Sequence, residues 1–304
     1  MQPDARRRSR GVIVFVVLAL AVGVVPVVPE VSSAQPGVSV VELVLVDPTR
    51  ATVEGPGVPA AASRTIPTTV HLPAATGPAP LIVLAHGASG APDRFTDLAT
   101  AWADAGYVVA APRFPLTNTD VRPPVIADLA EQGRDVQFVI DALLGRSATA
   151  DDQLAGRVDP ERIGLYGLSL GSLSVWSAVG EPTGGRIDAL IQSDGQTLTA
   201  DIGAVAFPVL VAHSDVDPIF PYADVVARYD EMPALKVLLT LPGAAHAVVG
   251  EDTVTPADEL YRQATTAFWD RTLGGRPDAA FPASVEGVAV LVEGERPAVL
   301  PSVL

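Results

Sequence analysis

Between residues 40 and 241 the sequence repeatedly sets down short runs of consecutive apolar residues and separates them with longer stretches of helical period. Two β-branched runs broken by turn residues, 40–46 and 65–72, read as opening strands, and the apolar runs follow at 81–85, 107–111, 163–166, 189–191, 209–212 and 237–241. A strand with one wet face alternates apolar and polar residues. One that is apolar at every position must be covered on both faces, as in a parallel sheet with helices on either side. The intervening stretches supply those helices. In 93–105, Phe95, Leu98, Ala99 and Trp102 are spaced for a single helix face, and in 125–144 so are Ile126, Leu129, Val136, Val139, Ile140 and Leu143. Shorter helices are expected at 172–179 and 223–229, and a last one at 258–273. The pattern predicts one doubly wound, mostly parallel α/β domain over 35–304, with a sheet of about eight strands and helices on both faces. From about residue 274 the tail is rich in Pro and Gly and reads as irregular, with 285–292 offering an edge strand.

The first 34 residues stand apart. Arg6, Arg7, Arg8 and Arg10 precede an uncharged apolar run at 11–28, and Ser32-Ser33-Ala34 places small residues where a signal peptidase cuts. That layout predicts a signal peptide at 1–34 and a mature chain, beginning near Gln35, that works outside the cytoplasm. Pro26 and Pro29 near the end of the run argue against a retained membrane anchor, so no stable span is expected after cleavage.

Composition removes several kinds of chemistry. The 304-residue chain has no cysteine, which excludes disulfides, thiolate metal sites and a thiol nucleophile. Its net charge is −15, and without the basic leader the remainder is at −17, with Lys236 the only lysine. A body this acidic lacks the footprint for nucleic acid.

Gly167-Leu168-Ser169-Leu170-Gly171 lies between an apolar run and a helical stretch, the context a G-x-S-x-G nucleophile elbow requires. The spacing has a steric reason: a serine thrust out of a strained strand-to-helix turn needs glycines beside it, where backbones pass closely. A serine hydroxyl reacts only if a base takes its proton. The four histidines are His71, His86, His213 and His246. In the chain order serine, acid, histidine the base comes last, which selects His246 in the loop after the 237–241 run. Two acids follow earlier strands: Asp217, which opens Asp217-x-x-x-Pro221, and Asp194 in Gln192-Ser193-Asp194-Gly195. Asp217 is preferred and Asp194 stays open as the alternative. An oxyanion is expected to be held by the backbone N–H groups of Leu170 and of Ala88, within His86-Gly87-Ala88-Ser89-Gly90. His86 then braces its loop, His213 shapes the acid loop, and His71 is structural.

The set His86-Gly-x-x-Gly90, Gly167-x-Ser169-x-Gly171, Asp217-x-x-x-Pro221 and Gly243-Ala-Ala-His246 resembles the serine α/β-hydrolase superfamily. Finer features resemble the platelet-activating-factor acetylhydrolase-like and dienelactone-hydrolase-like groups. They are Thr65-Ile66-Pro67-Thr68-Thr69-Val70, Arg113-Phe114-Pro115-Leu116-Thr117, the stretch from Asp135 to Asp141, and Val158-Asp159-Pro160-Glu161-Arg162-Ile163-Gly164. Dienelactone hydrolases use a cysteine where this chain has Ser169, and Leu168 replaces the histidine common before the serine. The resemblance implies an α/β-hydrolase fold without a large lid. It also implies a secreted serine hydrolase that cleaves carboxylic esters of small or lipid-like molecules through an acyl-enzyme, with no metal or organic cofactor. The alternatives on the same scaffold are an amidase or peptidase, and a non-catalytic binding protein. Oligomeric state is not legible.

Overall fold

In the computed structural model the described residues are 37–295, apart from Thr183, Thr199, Ala200, Ala234, Thr253 and Val254. The expected signal peptide lies outside them. Among the described residues no helix is long and apolar enough to cross a membrane.

Among the described residues nine strands form one sheet: β1 (Ser39–Asp47), β2 (Arg64–Leu72), β3 (Ala79–Ala85), β4 (Val108–Pro112), β5 (Val158–Leu168), β6 (Ala189–Ser193), β7 (Val209–Ser214), β8 (Lys236–Leu241) and β9 (Val290–Glu293). Their order is β1-β2-β4-β3-β5-β6-β7-β8-β9. The six strands from β4 to β8 run parallel, whereas β1, β2 and β9 join antiparallel. The ninth strand falls within the tail expected to be irregular, at the end of the 285–292 segment. It is pinned there by pairing with β8 and by Tyr229 Oη donating to the Gly294 carbonyl.

Among the described residues five α-helices connect the strands: α1 (Thr96–Asp104), α2 (Leu129–Ser147), α3 (Leu170–Gly180), α4 (Tyr222–Asp230) and α5 (Asp258–Thr272). β3 shows why its sequence has no polar position. Leu81, Val83 and Ala85 pack into the core shared with α2, α3 and α4, while Ile82 and Leu84 pack into the core shared with α1 and α5. Every side chain of the strand is buried, and each such Leu, Ile or Val contributes about 1.5–3 kcal/mol of transfer free energy.

α2 begins later than its spacing suggested. Residues Ile126–Asp128 make a tight 3₁₀ turn, which leaves Ile126 exposed, off the buried stripe. The turn delivers Asp128 to Arg64, a residue only 1% exposed. Arg64 also grips Asp135 on α2 through two parallel bonds, Nε to Oδ1 and Nη2 to Oδ2, each 2.6 Å. Arg50, itself bound to Asp47 at the end of β1, reaches Asp135 at 2.8 Å. This buried cluster ties β1, β2 and α2 together. At the outer margin of the sheet β1 has no further strand beside it among the described residues, and Val40, Val44 and Val46 on one of its faces are exposed.

Candidate active site

The residues singled out in the sequence come from the carboxyl ends of neighbouring parallel strands. Ser169 follows β5, Asp194 follows β6, Asp217 follows β7, and His246 lies in the loop after β8. Ligand sites of open α/β sheets form at this edge, where loops converge and helix N-termini point outward.

Ser169 sits at φ 54°, ψ −120°, a conformation that an L-residue adopts only under constraint. Three close passages supply the constraint, two against backbone and one against the Ser172 side chain. A Cβ at Gly167 would strike the backbone of Gly171, one at Gly171 would strike the Ala85 carbonyl, and one at Gly195 would strike Ser172. The Ser169 N–H is also tied to the Ser193 carbonyl at 2.9 Å. Because the collision at Gly171 is with backbone, Gly171→Ala is expected to cost about 1–3 kcal/mol in urea unfolding and to disturb the elbow at the same time.

Ser169 Oγ lies 2.8 Å from His246 Nε2, and His246 Nδ1 lies 2.6 Å from Asp217 Oδ2. With Nδ1–H donating to the carboxylate, the Nε2 lone pair is left to accept the serine proton. The other Asp217 oxygen accepts the N–H groups of Ile219 (2.7 Å) and Phe220 (3.0 Å). Burial pushes the Asp217 carboxyl up, but the bond from His246 and these two amides outweigh it and hold the group below the usual carboxylate range. Ser169 and His246 are half-buried, whereas the Asp217 carboxylate is fully covered.

Asp194 is placed differently. It is fully buried at φ 38°, and its oxygens accept the backbone N–H groups of Ser214 (2.9 Å) and Ala247 (3.0 Å). The carboxylate hydrogen-bonded to the imidazole is that of Asp217. His213, also buried, donates Nε2–H to the Phe220 carbonyl at 2.8 Å, and its Nδ1 lies 3.7 Å from Asp194 Oδ1. Asp194, His213 and Asp217 are close enough to form a three-donor cluster, but of their ligand atoms only His213 Nδ1 has no hydrogen-bond partner. His71 is buried in β2 and meets Thr100 on α1.

The oxyanion candidates flank Ser169 from two sides. Leu170 is the first residue of α3, so its N–H has no intrahelical acceptor and stands at the positive end of the helix. The loop at 86–90 passes close enough that a Cβ at Gly87 would lie 3.1 Å from Ser169 Cβ. It is fixed by Ser89 N–H to the Thr117 carbonyl (2.7 Å) and by Thr119 N–H to the Gly90 carbonyl (2.9 Å), while Ala88 itself is exposed.

His86 braces this loop from inside. Its Nδ1–H donates to the Gly87 carbonyl (2.7 Å), and its Nε2 accepts the Phe114 N–H (3.1 Å), which fixes the neutral tautomer. Burial pushes its pKa down to about 4, against an ordinary value of 6.5. The unfolded chain therefore takes up this proton first, and stability is expected to fall as pH drops from 6.5 towards about 4. A histidine NMR titration should show one imidazole that stays neutral through that window, and urea midpoints should fall across it.

A cavity of about 630 Å³ lies along the C-terminal half of α3 between Trp176 and Phe207, away from Ser169. The serine stands instead at the open edge of the sheet.

Residues 66–274, more than half of the chain, match the model of the dienelactone hydrolase family. The chain belongs to that family. A dienelactone is a cyclic ester, so membership of the dienelactone hydrolase family makes the protein a hydrolase acting on esters. Among solved structures it is similar to a ferulic acid esterase from Streptomyces cinnamoneus, with a TM-score of 0.68 and 20% identity over 85% of this chain and 97% of that one. That likeness is one of fold, and it agrees with the α/β-hydrolase architecture. No curated protein matches the sequence at a significant level.

Proposed function

We propose that this member of the dienelactone hydrolase family is an exported serine carboxylic ester hydrolase that works through an acyl-enzyme. The observation that carries the reading is the continuous relay from Ser169 Oγ to His246 Nε2 (2.8 Å) and from His246 Nδ1 to Asp217 Oδ2 (2.6 Å). In this mechanism Ser169 attacks the ester carbonyl while His246 takes its proton. The buried Asp217 carboxylate stabilises the imidazolium and fixes the tautomer. The N–H groups of Leu170 and Ala88 receive the charge that develops on the carbonyl oxygen. His246 returns the proton to the departing alcohol. It then activates a water, which attacks the acyl carbon, regenerates Ser169 and releases the acid.

The half-buried serine at the open edge of the sheet favours small or extended esters over deeply enclosed ones. The layout of residues 1–34 supports export and cleavage near Gln35, which N-terminal sequencing of secreted protein checks.

A fluorophosphonate probe tests the chemistry directly. Ser169 is expected to label in folded wild type and not in Ser169→Ala, and p-nitrophenyl esters should turn over well ahead of the matched anilides. Absence of labelling in folded protein would sink the enzyme reading in favour of a binding role. Anilide turnover equal to ester turnover would make the protein an amidase.

A further inference from the structure

Two carboxylates stand behind His246, and the relay uses only one. The loop that carries His246 is held on both flanks. Ahead of the ring, Ser214 Oγ donates to the Ala244 carbonyl (2.6 Å) and Gly243 N–H donates to Asp215 (2.8 Å), both ties coming from the loop that carries Asp217. Behind the ring the hydrogen bond at Ala247 comes from Asp194, which also holds Ser214 N–H at the root of the Asp217 loop. Ala247 is the residue next to His246 and has φ 56°, a left-handed conformation unfavourable for alanine that something must enforce. Asp194 is 0% exposed, its own φ is 38°, and both its oxygens are spent on these two amides. The imidazole of His246 is bonded to the other carboxylate, that of Asp217. His213 extends the arrangement: it faces Asp194 with Nδ1 and holds the Phe220 carbonyl with Nε2, and the Phe220 N–H binds Asp217.

We propose that Asp194 is a positioning residue for the ester-cleaving site: one buried carboxylate clamps the His246 loop to the root of the Asp217 loop and so sets the imidazole between Ser169 and Asp217. This rests on the relay proposed above. Its physical basis is that a base misplaced by about 1 Å loses on the order of 100-fold in rate although every reacting group is present. An asparagine is isosteric with Asp194 but has only one acceptor oxygen, so it can hold Ser214 N–H or Ala247 N–H and not both.

The test compares wild type, Asp194→Asn, Asp217→Ala and the double variant. Active sites are titrated with a fluorophosphonate, and kcat and KM are measured on p-nitrophenyl butyrate. Asp194→Asn is expected to lower kcat per titrated site by about 10- to 100-fold while KM changes by less than about twofold. The double variant should lose much less than the product of the single losses, because both substitutions act through the same imidazole. Independently of turnover, the downfield proton resonance of the His246 Nδ1–H bond to Asp217 should be sharp in wild type and broadened in Asp194→Asn.

A variant with wild-type kcat per titrated site and an unchanged resonance, even one that melts lower, would reduce Asp194 to a structural residue and overturn the proposal. So would loss of turnover in Asp194→Asn beyond that of Asp217→Ala, which would make Asp194 the acid itself. If wild type neither labels nor turns over esters, the relay reading fails, and the resonance comparison still decides whether Asp194 holds the loop.

Discussion

Ser169→Ala is expected to lower ester turnover by about four orders of magnitude or more, with the protein still folded. The loss should be steep because nothing else near the site replaces the hydroxyl: the chain has no cysteine, and the next polar side chain on α3, Ser172, is fully buried. His246→Ala should fall almost as far, and combining the two should add little, since neither group acts without the other. Asp217→Ala should lose less, because Ser169 and His246 are still present. Stability should move the opposite way from activity in one further variant. The backbone of Ser169 at φ 54°, ψ −120° is costly for any residue with a Cβ, so Ser169→Gly should raise the urea midpoint by the equivalent of about 1 kcal/mol while abolishing turnover. Stopped assays with p-nitrophenyl acetate, together with unfolding curves, check both halves. A Ser169→Ala protein that keeps wild-type turnover would end the nucleophile assignment.

The second large effect is on folding. Replacing Arg64 with methionine removes the cation that Asp128 and Asp135 share and leaves two buried carboxylates facing each other, with only Arg50 close to Asp135. Burial already pushes the Asp135 carboxyl above its ordinary range, against the pull of Arg64. Breaking a buried pair from one side costs about 3–5 kcal/mol, so the melting temperature is expected to fall by about 10 °C. The loss should be smaller at pH 4 than at pH 7, because a carboxyl whose folded pKa is raised is stabilised in its protonated form as pH falls. Exchanging Asp128 and Asp135 for asparagine in the same chain should recover part of it. Calorimetry at the two pH values decides this.

How much of this was legible in the sequence differs from element to element. The parallel core was plain because strands such as Leu81-Ile82-Val83-Leu84-Ala85 must satisfy two helical layers at once, and that demand is written into consecutive residues. That Ser169 and His246 would meet was legible through a sterically dictated motif and a shortage of histidines. For the partner of His246 the Asp217-x-x-x-Pro221 pattern favoured Asp217 but left Asp194 open, because both follow strands of the same edge. What separates them is the direction each carboxylate takes, set by a left-handed backbone at Asp194 and by the turn from Asp217 to Phe220. The Arg64 cluster was missed, although it left a trace: Asp135 lies beside Val136 and Val139 on the apolar face of α2, where an unpaired charge would not be tolerated. Ile126 misled for the related reason that its spacing fits a helix, while the Asp128–Arg64 attraction tightens the turn before the helix starts.

The outer margin of the sheet bears on how this protein behaves when concentrated. β1 offers nine residues of regular backbone with no proline or lysine, and Glu42 is the only charge on the face that exposes its valines. Such a border is a ready template for strands of other molecules. A lysine in place of Val44 is the first change to make for work at high concentration.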